Sequence, residues 1–505
     1  MERWPVYALV PASRNGTIRA GPVTLIARSK GDDRCVLSIH RIFEFDLLRR
    51  RCDFSPVTNS ERALNARAWH LSIFPEDRTT KSRPSFVTTG TLMHLTQEVS
   101  EMAQPGNRIV TFEKPMEMKV NTFKFPELIT PQGKSAPHGA ILKIVTTNIC
   151  GSDLHIYRGS FPVPKGMTMG HEMTGEVIEV GSDVEFIKKG DVVSVPFNVG
   201  CGRCYNCKHM RSEVCENTNT DVDCGAYGFN LGGWTGGQGD YLFVPYADFN
   251  LLRFPDKDAA MEKIRDLTLL SDVLPTAFHG FAAPDWPAAP AYIVGENVLI
   301  FGAGPVGRAG AACAKLLGAG AIVVADFIPE RLDLLKPHGI ETINLSDGTP
   351  IEDHLERITG HREVDRVIDY VGVDCRGFGP DAGKIVENAV TNAMLKYVRA
   401  GGTTSTVGVY CANPISKDAA AKAGHMDLEW SNAWIKSPRM AAGQSPTANY
   451  NRALMRAILN DRMPYLTPMM NIKFIKLEDA PQAYKDFDAG SAYKYVIDPH
   501  GSVKH

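Results

Sequence analysis

A glycine-rich loop constrains the fold of this 505-residue chain more than any other feature of its sequence. The pattern GAGPVG at residues 302–307 follows the apolar run Asn297–Phe301, predicted as a strand, and opens the segment Pro305–Leu317, predicted as a helix. In such a loop the first glycine permits a tight turn, the second lets the backbone approach a pyrophosphate, and the third lets the helix pack on the strand. The loop therefore predicts a dinucleotide site at the helix N-terminus, where backbone N–H groups are free. The alternative is a glycine-rich turn without a ligand.

The segments after this loop continue the alternation of strands and helices. Further strands are predicted at residues 321–326, 364–370 and 403–410. The alternation predicts an α/β domain with a doubly wound parallel sheet covered by helices on both faces. Asp326 closes the second strand, where its carboxylate can accept a hydrogen bond from a ribose 2′-hydroxyl and would repel a 2′-phosphate, which favours NAD over NADP. Arg331 is expected to lie over the adenine.

Four of the eleven cysteines are crowded into one short segment. They are Cys201, Cys204, Cys207 and Cys215. Four thiolates at this spacing can close a tetrahedron around Zn²⁺, and a site with no open position is structural. The alternatives are four reduced buried cysteines or an iron–sulfur cluster. The uneven spread of the cysteines favours metal chemistry in a reducing compartment over a disulfide framework.

The composition bounds the class of protein. Apolar residues make up 44% of the chain and the formal net charge is −2, so the chain is globular and has no global basic field for nucleic acid. We find no apolar run near the ~20 residues that span a bilayer. The first fifteen residues lack the apolar core of a secretory signal. We therefore expect a cytoplasmic protein without nucleic-acid or membrane partners.

The first hundred residues differ in composition from the rest, with 13 arginines and two lysines. They show no long amphipathic period and no catalytic motif. We predict a poorly ordered extension over residues 1–103. The alternatives are a translated upstream region, with the working protein starting near Met102, and an organelle-targeting leader.

The middle of the chain predicts a second kind of domain. Short β-rich runs lie at residues 140–146, 176–180 and 191–196, and they predict an antiparallel, barrel-like domain up to about residue 250. The C-terminal part is predicted as helices at 450–460 and 478–490, followed by a strand at 493–497.

A candidate reactive centre lies within this middle part. Cys150 and His171 supply two of the three protein ligands of an open catalytic zinc. Ser152 and His155 suit a proton path away from the metal. Glu172 is a residue that supports the metal ligands from behind, a transient ligand, or an acid on the surface of a helix or strand. Taken alone, Cys150 is more often a core residue than a ligand.

Together these motifs resemble the zinc-dependent medium-chain alcohol dehydrogenase family. The blocks NICGSDLH, GHEMTGEV, GCGRCYNC and GAGPVG carry the resemblance over roughly residues 104–500. The segments SVPFNVGCGRC and LSDVLPTAFHG are similar to the branch of glutathione-independent formaldehyde dehydrogenases and formaldehyde dismutases. The resemblance implies a GroES-like barrel catalytic domain at residues 104–275 and 431–505, and a Rossmann NAD-binding domain at residues 276–430.

The resemblance also implies the site residues. Cys150 and His171 match ligands of the catalytic zinc, and Asp272 matches the aspartate that takes the third place in this branch; the alternative is that Asp272 only caps a helix. The four clustered cysteines match the structural zinc, which makes two zinc ions per chain. The implied cofactor contacts are Gly151, Ser152, His155, Thr276, Gly302, Gly304, Pro305, Val306, Gly307, Asp326, Arg331, Val371, Arg376, Val407, Val409, Gly443, Gln444 and Ser445. An insertion at residues 372–390 matches one that covers the adenine end, although Phe378 stands where the branch has a histidine.

The activity implied is oxidation of formaldehyde, another small aldehyde as its hydrate, or an alcohol, by hydride transfer to NAD and without glutathione. If NAD stays bound, dismutation of the aldehyde follows. The alternatives are a general zinc-dependent alcohol or polyol dehydrogenase, and a non-catalytic nucleotide-binding protein of the same fold. Phe197, Tyr227, Phe229 and Trp234 are candidates for a small substrate pocket or for the core. The family implies a homo-oligomer, a dimer or a tetramer.

Overall fold

The computed structural model describes residues 23–28, 34–39, 106–285 and 293–504. The chain divides into two compact units, Met1–Glu98 and Val99–His505. In the first unit, strands β1 (Val23–Arg28) and β2 (Arg34–Ile39) pair antiparallel. The rest of the predicted extension over residues 1–103 lies outside the described residues.

The second unit contains strands and helices over its whole described length. The strands are β3 (Asn107–Lys114), β4 (Glu117–Phe123), β5 (Ala140–Asn148), β6 (Met173–Val180), β7 (Val192–Val195), β8 (Tyr241–Val244), β9 (Leu252–Arg253), β10 (Val298–Phe301), β11 (Ile322–Asp326), β12 (Glu341–Asn344), β13 (Val364–Asp369), β14 (Val398–Thr406), β15 (Arg439–Ala442), β16 (Ile472–Ile475) and β17 (Lys494–Ile497). The α-helices are α1 (Gly151–Arg158), α2 (Tyr205–Lys208), α3 (Ala247–Asn250), α4 (Lys257–Glu262), α5 (Ile264–Leu267), α6 (Val273–Ala282), α7 (Pro305–Leu316), α8 (Pro329–Asp333), α9 (Ile351–Thr359), α10 (Ala389–Tyr397), α11 (Ala419–Lys422), α12 (Trp430–Lys436), α13 (Thr447–Leu459), α14 (Leu466–Met470) and α15 (Ala480–Asp488). Short 3₁₀ turns lie at Ser212–Val214, Thr268–Ser271, Ala283–Asp285, Lys336–His338, Gly379–Asp381 and Leu477–Asp479.

A largely antiparallel sheet of seven strands forms the barrel-like part. Its order is β16-β17-β5-β6-β7-β9, and β8 pairs with β5. Eight of the nine residues of β5 are buried, because the sheet is covered on both faces. β17 pairs antiparallel with β5, so the C-terminal strand completes the sheet whose first strand begins at Ala140. The predicted barrel-like domain is confirmed.

A parallel sheet of six strands forms the other part, in the order β12-β11-β10-β13-β14-β15. β10 is fully buried between its two parallel neighbours β11 and β13, as expected for a sheet with helices on both faces. This confirms the predicted Rossmann sheet. β15 extends the sheet beyond residue 430, where the sequence placed a domain boundary; that boundary stays a prediction.

One predicted strand is displaced along the chain. The sequence predicts residues 403–410, whereas β14 begins five residues earlier and ends at Thr406. The backbone N–H groups of Val407 and Gly408 both donate to the carbonyl of Asp369 at 3.0 Å, which turns the chain out of the sheet. Residues 407–410 therefore line the end of the sheet rather than continue it.

In the described part of the chain, no helix is both long enough and apolar enough to pass through a lipid bilayer.

Candidate active site and metal centres

The four clustered cysteines converge in the loop that contains α2. The Sγ atoms of Cys201 and Cys207 lie 4.0 Å apart, and those of Cys204 and Cys215 lie 3.9 Å apart. A zinc tetrahedron with Zn–S bonds of ~2.3 Å requires S···S separations of about 3.8 Å. The arrangement therefore fits a zinc ion held by four thiolates.

The surroundings of this cluster lower the pKa of the Cys201 thiol, whereas Cys201, Cys215 and burial raise the pKa of the Cys207 thiol. The backbone N–H groups of Arg203 and Cys204 each lie 3.3 Å from Sγ of Cys201. Hydrogen bonds from Cys207 and Cys215 and from these amides lower the pKa of the Cys201 thiol. The nine cysteines of the second unit are all free.

A second cluster lies where three segments of the barrel-like part meet. Oδ2 of Asp272 lies 3.5 Å from Sγ of Cys150 and 3.2 Å from Nε2 of His171. Tetrahedral zinc requires separations of about 3.5 Å for S···O and about 3.3 Å for N···O. The three side chains fit the ligand set of a zinc site with one open position.

The backbone around Cys150, His171 and Asp272 brings their side chains together. Cys150 immediately precedes α1, Asp272 immediately precedes α6, and His171 follows Gly170 in the turn before β6. Gly170 has φ of +98°, and a Cβ atom there would lie 2.3 Å from Cγ of Gln238. Glycine therefore lets this turn pack against the neighbouring chain and bring His171 into the cluster.

The electrostatics of the second cluster also fit a cation. Burial raises the pKa of the Cys150 thiol to about 11, and the negative charges of Asp272 and Glu172 contribute to the increase. A buried thiol beside carboxylates ionises when a cation compensates its charge. This environment suits a metal ion and disfavours a free thiolate.

The carboxylate of Asp153 lies beside the imidazole of His171, a contact that the sequence analysis missed. Its Oδ1 lies 3.2 Å from Nδ1 of His171, and its Oδ2 accepts the backbone N–H of Cys150 at 3.0 Å. Burial opposes protonation of His171, but Asp153 and Asp272 outweigh it and raise its pKa well above the usual value. A carboxylate behind a ligating histidine is common at zinc sites because it fixes the ring. The available signal was an acid in the first turn of α1.

Glu172 is fully buried, so the alternative of an acid on the surface is wrong. Its Oε2 accepts a hydrogen bond from Nδ2 of Asn148 at 2.8 Å, and its Oε1 lies 2.6 Å from Nζ of Lys494. Lys494 is fully buried as well and also donates to the carbonyl of Ile149 at 3.0 Å. The positive charge of Lys494 therefore compensates the negative charge of Glu172 beside the second cluster.

A cavity of 1490 Å³ connects the second cluster with the carboxyl ends of the parallel strands. The predicted catalytic and cofactor residues on its wall are Cys150, Gly151, Ser152, His155, His171, Asp272, Thr276, Gly302, Gly304, Pro305, Val306, Asp326, Arg331, Val371, Arg376, Val407, Val409, Gly443, Gln444 and Ser445. Gly307 lies behind the wall, where a Cβ atom would stand 1.7 Å from the carbonyl oxygen of Gly302. The third glycine therefore allows helix and strand to pack closely, as predicted.

The side chain of Asp326, at the end of β11, holds the glycine-rich loop by hydrogen bonds. Its Oδ2 accepts the N–H of Ala303 at 2.6 Å, and its Oδ1 accepts the N–H of Ile328 at 2.8 Å. Gly304 has open space around its Cα, since a Cβ atom there would meet no atom within 4 Å. The loop thus presents backbone to the cavity, which suits a pyrophosphate.

The aromatic residues divide between the cavity and the core. Phe197 and Phe229 line the cavity, with ring centroids 6.1 and 4.9 Å from that of His171. Tyr227 and Trp234 are buried in the core of the barrel-like part. Two of the four predicted pocket residues therefore lie elsewhere.

Thr276 lies on the cavity wall, and its hydroxyl donates to Oδ1 of Asp272 at 2.5 Å. At the far end, Phe378 stacks on Phe327, with ring centroids 6.4 Å apart. The residue that replaces a histidine of the similar branch thus forms an aromatic wall beside Asp326.

Comparison with known proteins identifies the family. Residues 136–256 match the alcohol dehydrogenase GroES-like domain, and residues 305–441 match the zinc-binding dehydrogenase family. A formaldehyde dismutase of Pseudomonas putida is 50% identical over 405 residues, which cover 79% of this chain and 99% of that protein. The chain belongs to the zinc-binding alcohol dehydrogenase family. It is therefore an enzyme, an oxidoreductase.

Further similar proteins support the same family assignment. A glutathione-independent formaldehyde dehydrogenase of Bacillus subtilis is 45% identical over 415 residues, covering 80% of this chain and 99% of the relative. Among solved structures, alcohol dehydrogenase TADH from Thermus sp. ATN1 is 28% identical and superposes with a TM-score of 0.62, covering 77% of this chain and 99% of that one.

Proposed function

We propose that this enzyme oxidises formaldehyde, or another small aldehyde as its hydrate or a small alcohol, by hydride transfer to NAD without glutathione. One observation carries the proposal: Sγ of Cys150, Nε2 of His171 and Oδ2 of Asp272 meet on the wall of the cavity that also contains the glycine loop. The substrate class is supported by the names of two relatives, a formaldehyde dismutase and a glutathione-independent formaldehyde dehydrogenase.

In this proposal Cys150, His171 and Asp272 hold a catalytic zinc, and the four clustered cysteines hold a structural one. Bound zinc lowers the pKa of a substrate hydroxyl and stabilises its negative charge, and NAD accepts the hydride. Asp153 keeps the imidazole of His171 in its ligating orientation. The hydroxyl of Ser152, 3.2 Å from Nε2 of His171, accepts the substrate proton and releases its own, which His155 passes to solvent.

The walls of the cavity select the reactants. Phe197 and Phe229 press against His171 and leave room beside it for a small substrate, while they exclude water from the reacting atoms. The carboxylate of Asp326 at the end of β11 accepts a ribose 2′-hydroxyl and repels a 2′-phosphate, which supports NAD over NADP.

Metal content and activity test the proposal together. In Cys150→Ala, zinc per chain falls from two ions to one, and turnover falls by at least about a hundredfold because the metal contribution to charge stabilisation is lost. Cys313→Ala is the matched control, since Cys313 is buried in α7 and belongs to neither cluster; it keeps both ions. A Cys150→Ala protein with two zinc ions and full activity contradicts the proposal.

A substrate panel separates the proposed activity from its alternatives. Formaldehyde should give a higher kcat/KM than ethanol or a polyol; the reverse order would favour a general alcohol or polyol dehydrogenase. The same assay without added NAD tests dismutation, because turnover then requires retained cofactor that is reduced by one aldehyde and reoxidised by the next.

We also propose a cytoplasmic homo-oligomer, a dimer or a tetramer. The free state of the nine cysteines of the second unit supports a reducing compartment. β15 lies at an edge of the parallel sheet, and exposed apolar side chains lie beside it on α12, which supports association through this edge.

A further inference from the structure

Asp374 collects three hydrogen bonds on one carboxylate oxygen. Its Oδ2 lies 2.7 Å from Nδ1 of His155, 3.0 Å from Nη1 of Arg158 and 3.3 Å from Oγ of Ser160. His155 and Arg158 lie on α1 of the barrel-like part, and Ser160 follows that helix. Asp374 itself belongs to the segment that follows β13 of the parallel sheet. The contact joins the two parts of the enzyme beside the cavity.

This carboxylate is shielded from water and charged. The side chain of Asp374 is 12% exposed and that of His155 is 7% exposed. Burial would raise the pKa of the Asp374 carboxyl, but His155 and Arg158 outweigh burial and lower it to about 2. Asp374 is therefore an anion at neutral pH and acts only as a hydrogen-bond acceptor.

An acceptor at Nδ1 determines which nitrogen of the neutral imidazole carries the proton. With Nδ1–H donated to Asp374, the lone pair of His155 is on Nε2. Among the described residues, Nε2 has no hydrogen-bond partner, and His155 lines the cavity together with Ser152. The nitrogen that accepts protons is thus free on the side of the reactants.

We propose that Asp374 is a positioning residue, which fixes the tautomer and the orientation of His155 for proton transfer. The proposal rests on the proposed proton path through Ser152 and His155. A proton that leaves Ser152 binds to Nε2, and the resulting imidazolium, with N–H on both nitrogens, is stabilised by Asp374. Nε2 then gives one proton to water, and the Nδ1–H tautomer is restored. Asp374 keeps its charge throughout.

The placement of Asp374 adds a structural condition to this step. His155 and Asp374 are 219 residues apart in sequence; His155 lies on α1, and Asp374 lies in the segment after β13. The tautomer is therefore fixed only when the segment after β13 lies against α1. Arg158 also has a second ion pair, in which its Nε binds Oδ1 of Asp488 at 2.6 Å.

Nitrogen NMR on the zinc-loaded enzyme labelled with ¹⁵N-histidine tests the tautomer directly. The His155 signals are assigned as those missing from His155→Gln. In the wild type, Nδ1 should be the protonated nitrogen at neutral pH. In Asp374→Ala, the signals should shift toward the Nε2–H form, and unchanged signals would overturn the proposal.

Kinetics test whether Asp374 acts through His155. Asp374→Ala should lower kcat by about tenfold or more, with KM changed less than about twofold, since proton transfer by a positioned side chain typically contributes 10²–10⁴-fold. In a His155→Gln background, the same substitution should cause no further loss. Asp374→Asn, which keeps an oxygen for the three donors at the same volume, should retain more activity than Asp374→Ala.

Asp488→Ala is the matched control, because it removes the other ion pair of Arg158 and leaves the contact to His155 in place. It should keep the wild-type tautomer and kcat. Losses from Asp374→Ala that add to those of His155→Gln would show a merely structural role and overturn the proposal. If Asp374→Ala fails to fold, Asp374→Asn takes its place in the comparison of single and double variants with His155→Gln. Additive losses of kcat would overturn the proposal there as well. A His155→Gln enzyme with unchanged kcat would instead refute the proposed proton path itself.

Discussion

At the scale of single residues, His279 shows how a buried side chain couples stability to pH. His279 lies on α6, is 7% exposed, and its Nδ1 lies 2.9 Å from the hydroxyl of Tyr450. Burial, with a smaller contribution from the positive charge of Arg211, lowers the pKa of His279 from 6.5 to about 4. The imidazole is therefore neutral in the folded protein over most of the range in which it titrates in the unfolded chain.

Stability should consequently fall as pH falls from 6.5 toward 4. In that window the unfolded chain binds a proton at His279 and the folded protein does not, which at pH 5 costs about 2 kcal/mol. His279→Gln keeps a polar partner for Tyr450 and removes the loss of stability that comes from protonation of His279 in the unfolded chain. Urea unfolding at pH 7.5 and at pH 5 should show a smaller loss of stability in the variant. Equal losses in both proteins would contradict the assignment.

Sequence reasoning found the site residues that lie in local motifs but not their partners. The four clustered cysteines come from their spacing, Cys150 and His171 from their occurrence beside that cluster and the glycine loop, and Asp272 from resemblance. Lys494 is 322 residues away from Glu172 along the chain. No local pattern marks which lysine meets which buried acid, because only the closed sheet brings them together. The roles of the predicted ligands and cofactor contacts stay predictions until metal and cofactor binding are measured.

At the scale of elements, the loop between β10 and α7 contains glycines with two different roles: one allows close packing within the protein, and the other faces the cavity. Gly307 is required by the protein itself, since its Cα approaches the carbonyl of Gly302. Gly304 has free space in the protein, so a side chain there would meet only what occupies the cavity. The two positions therefore offer a matched pair of alanine substitutions.

Gly304→Ala should leave the thermal midpoint close to that of the wild type and weaken NADH binding, because its Cβ occupies the place where backbone approaches pyrophosphate. Gly307→Ala should lower the thermal midpoint as well as NADH binding, since a side chain forces α7 away from β10. Thermal unfolding and NADH fluorescence titration measure the two effects. Equal thermal midpoints for the two variants would refute this division of roles.

The sequence predicted elements well where one pattern dominates. The runs at 297–301, 305–317 and 321–326 match β10, α7 and β11 to within one residue at each end. The hairpin of β3 and β4 was not predicted, and the first half of β14 was missed. In β14, Val398–Gly402 contains two glycines, and its pairing with β13 passes through an irregularity, so tertiary contacts rather than local preference define the strand.

At the scale of the whole molecule, the β15 edge of the parallel sheet is the feature that bears on assembly. β15 forms this edge, with Met440 45% exposed. Trp434 and Ile435 on α12 are 79% and 74% exposed. Unpaired strand edges and apolar patches both favour association with another chain.

Trp434→Glu combined with Ile435→Lys should therefore lower the molar mass measured by light scattering, because charges replace apolar contact area. Phe186→Glu is the control, since Phe186 is 71% exposed in a loop of the barrel-like part and its replacement should leave the mass unchanged. An unchanged mass in the double variant would place the interface elsewhere or indicate a monomer.

The buried pair of Glu172 and Lys494 also constrains when the enzyme can mature during its synthesis. Glu172 is made early, whereas Lys494 lies on the final strand, and proteins form from the N-terminus onward on the ribosome. A carboxylate without a counter-ion stays hydrated, so the segment around Glu172 remains open while translation continues. We therefore expect the cluster of Cys150, His171 and Asp272 to retain a metal ion only after Lys494 has been made and has paired with Glu172. Nascent chains stalled before residue 494 should accordingly fail to retain the catalytic ion.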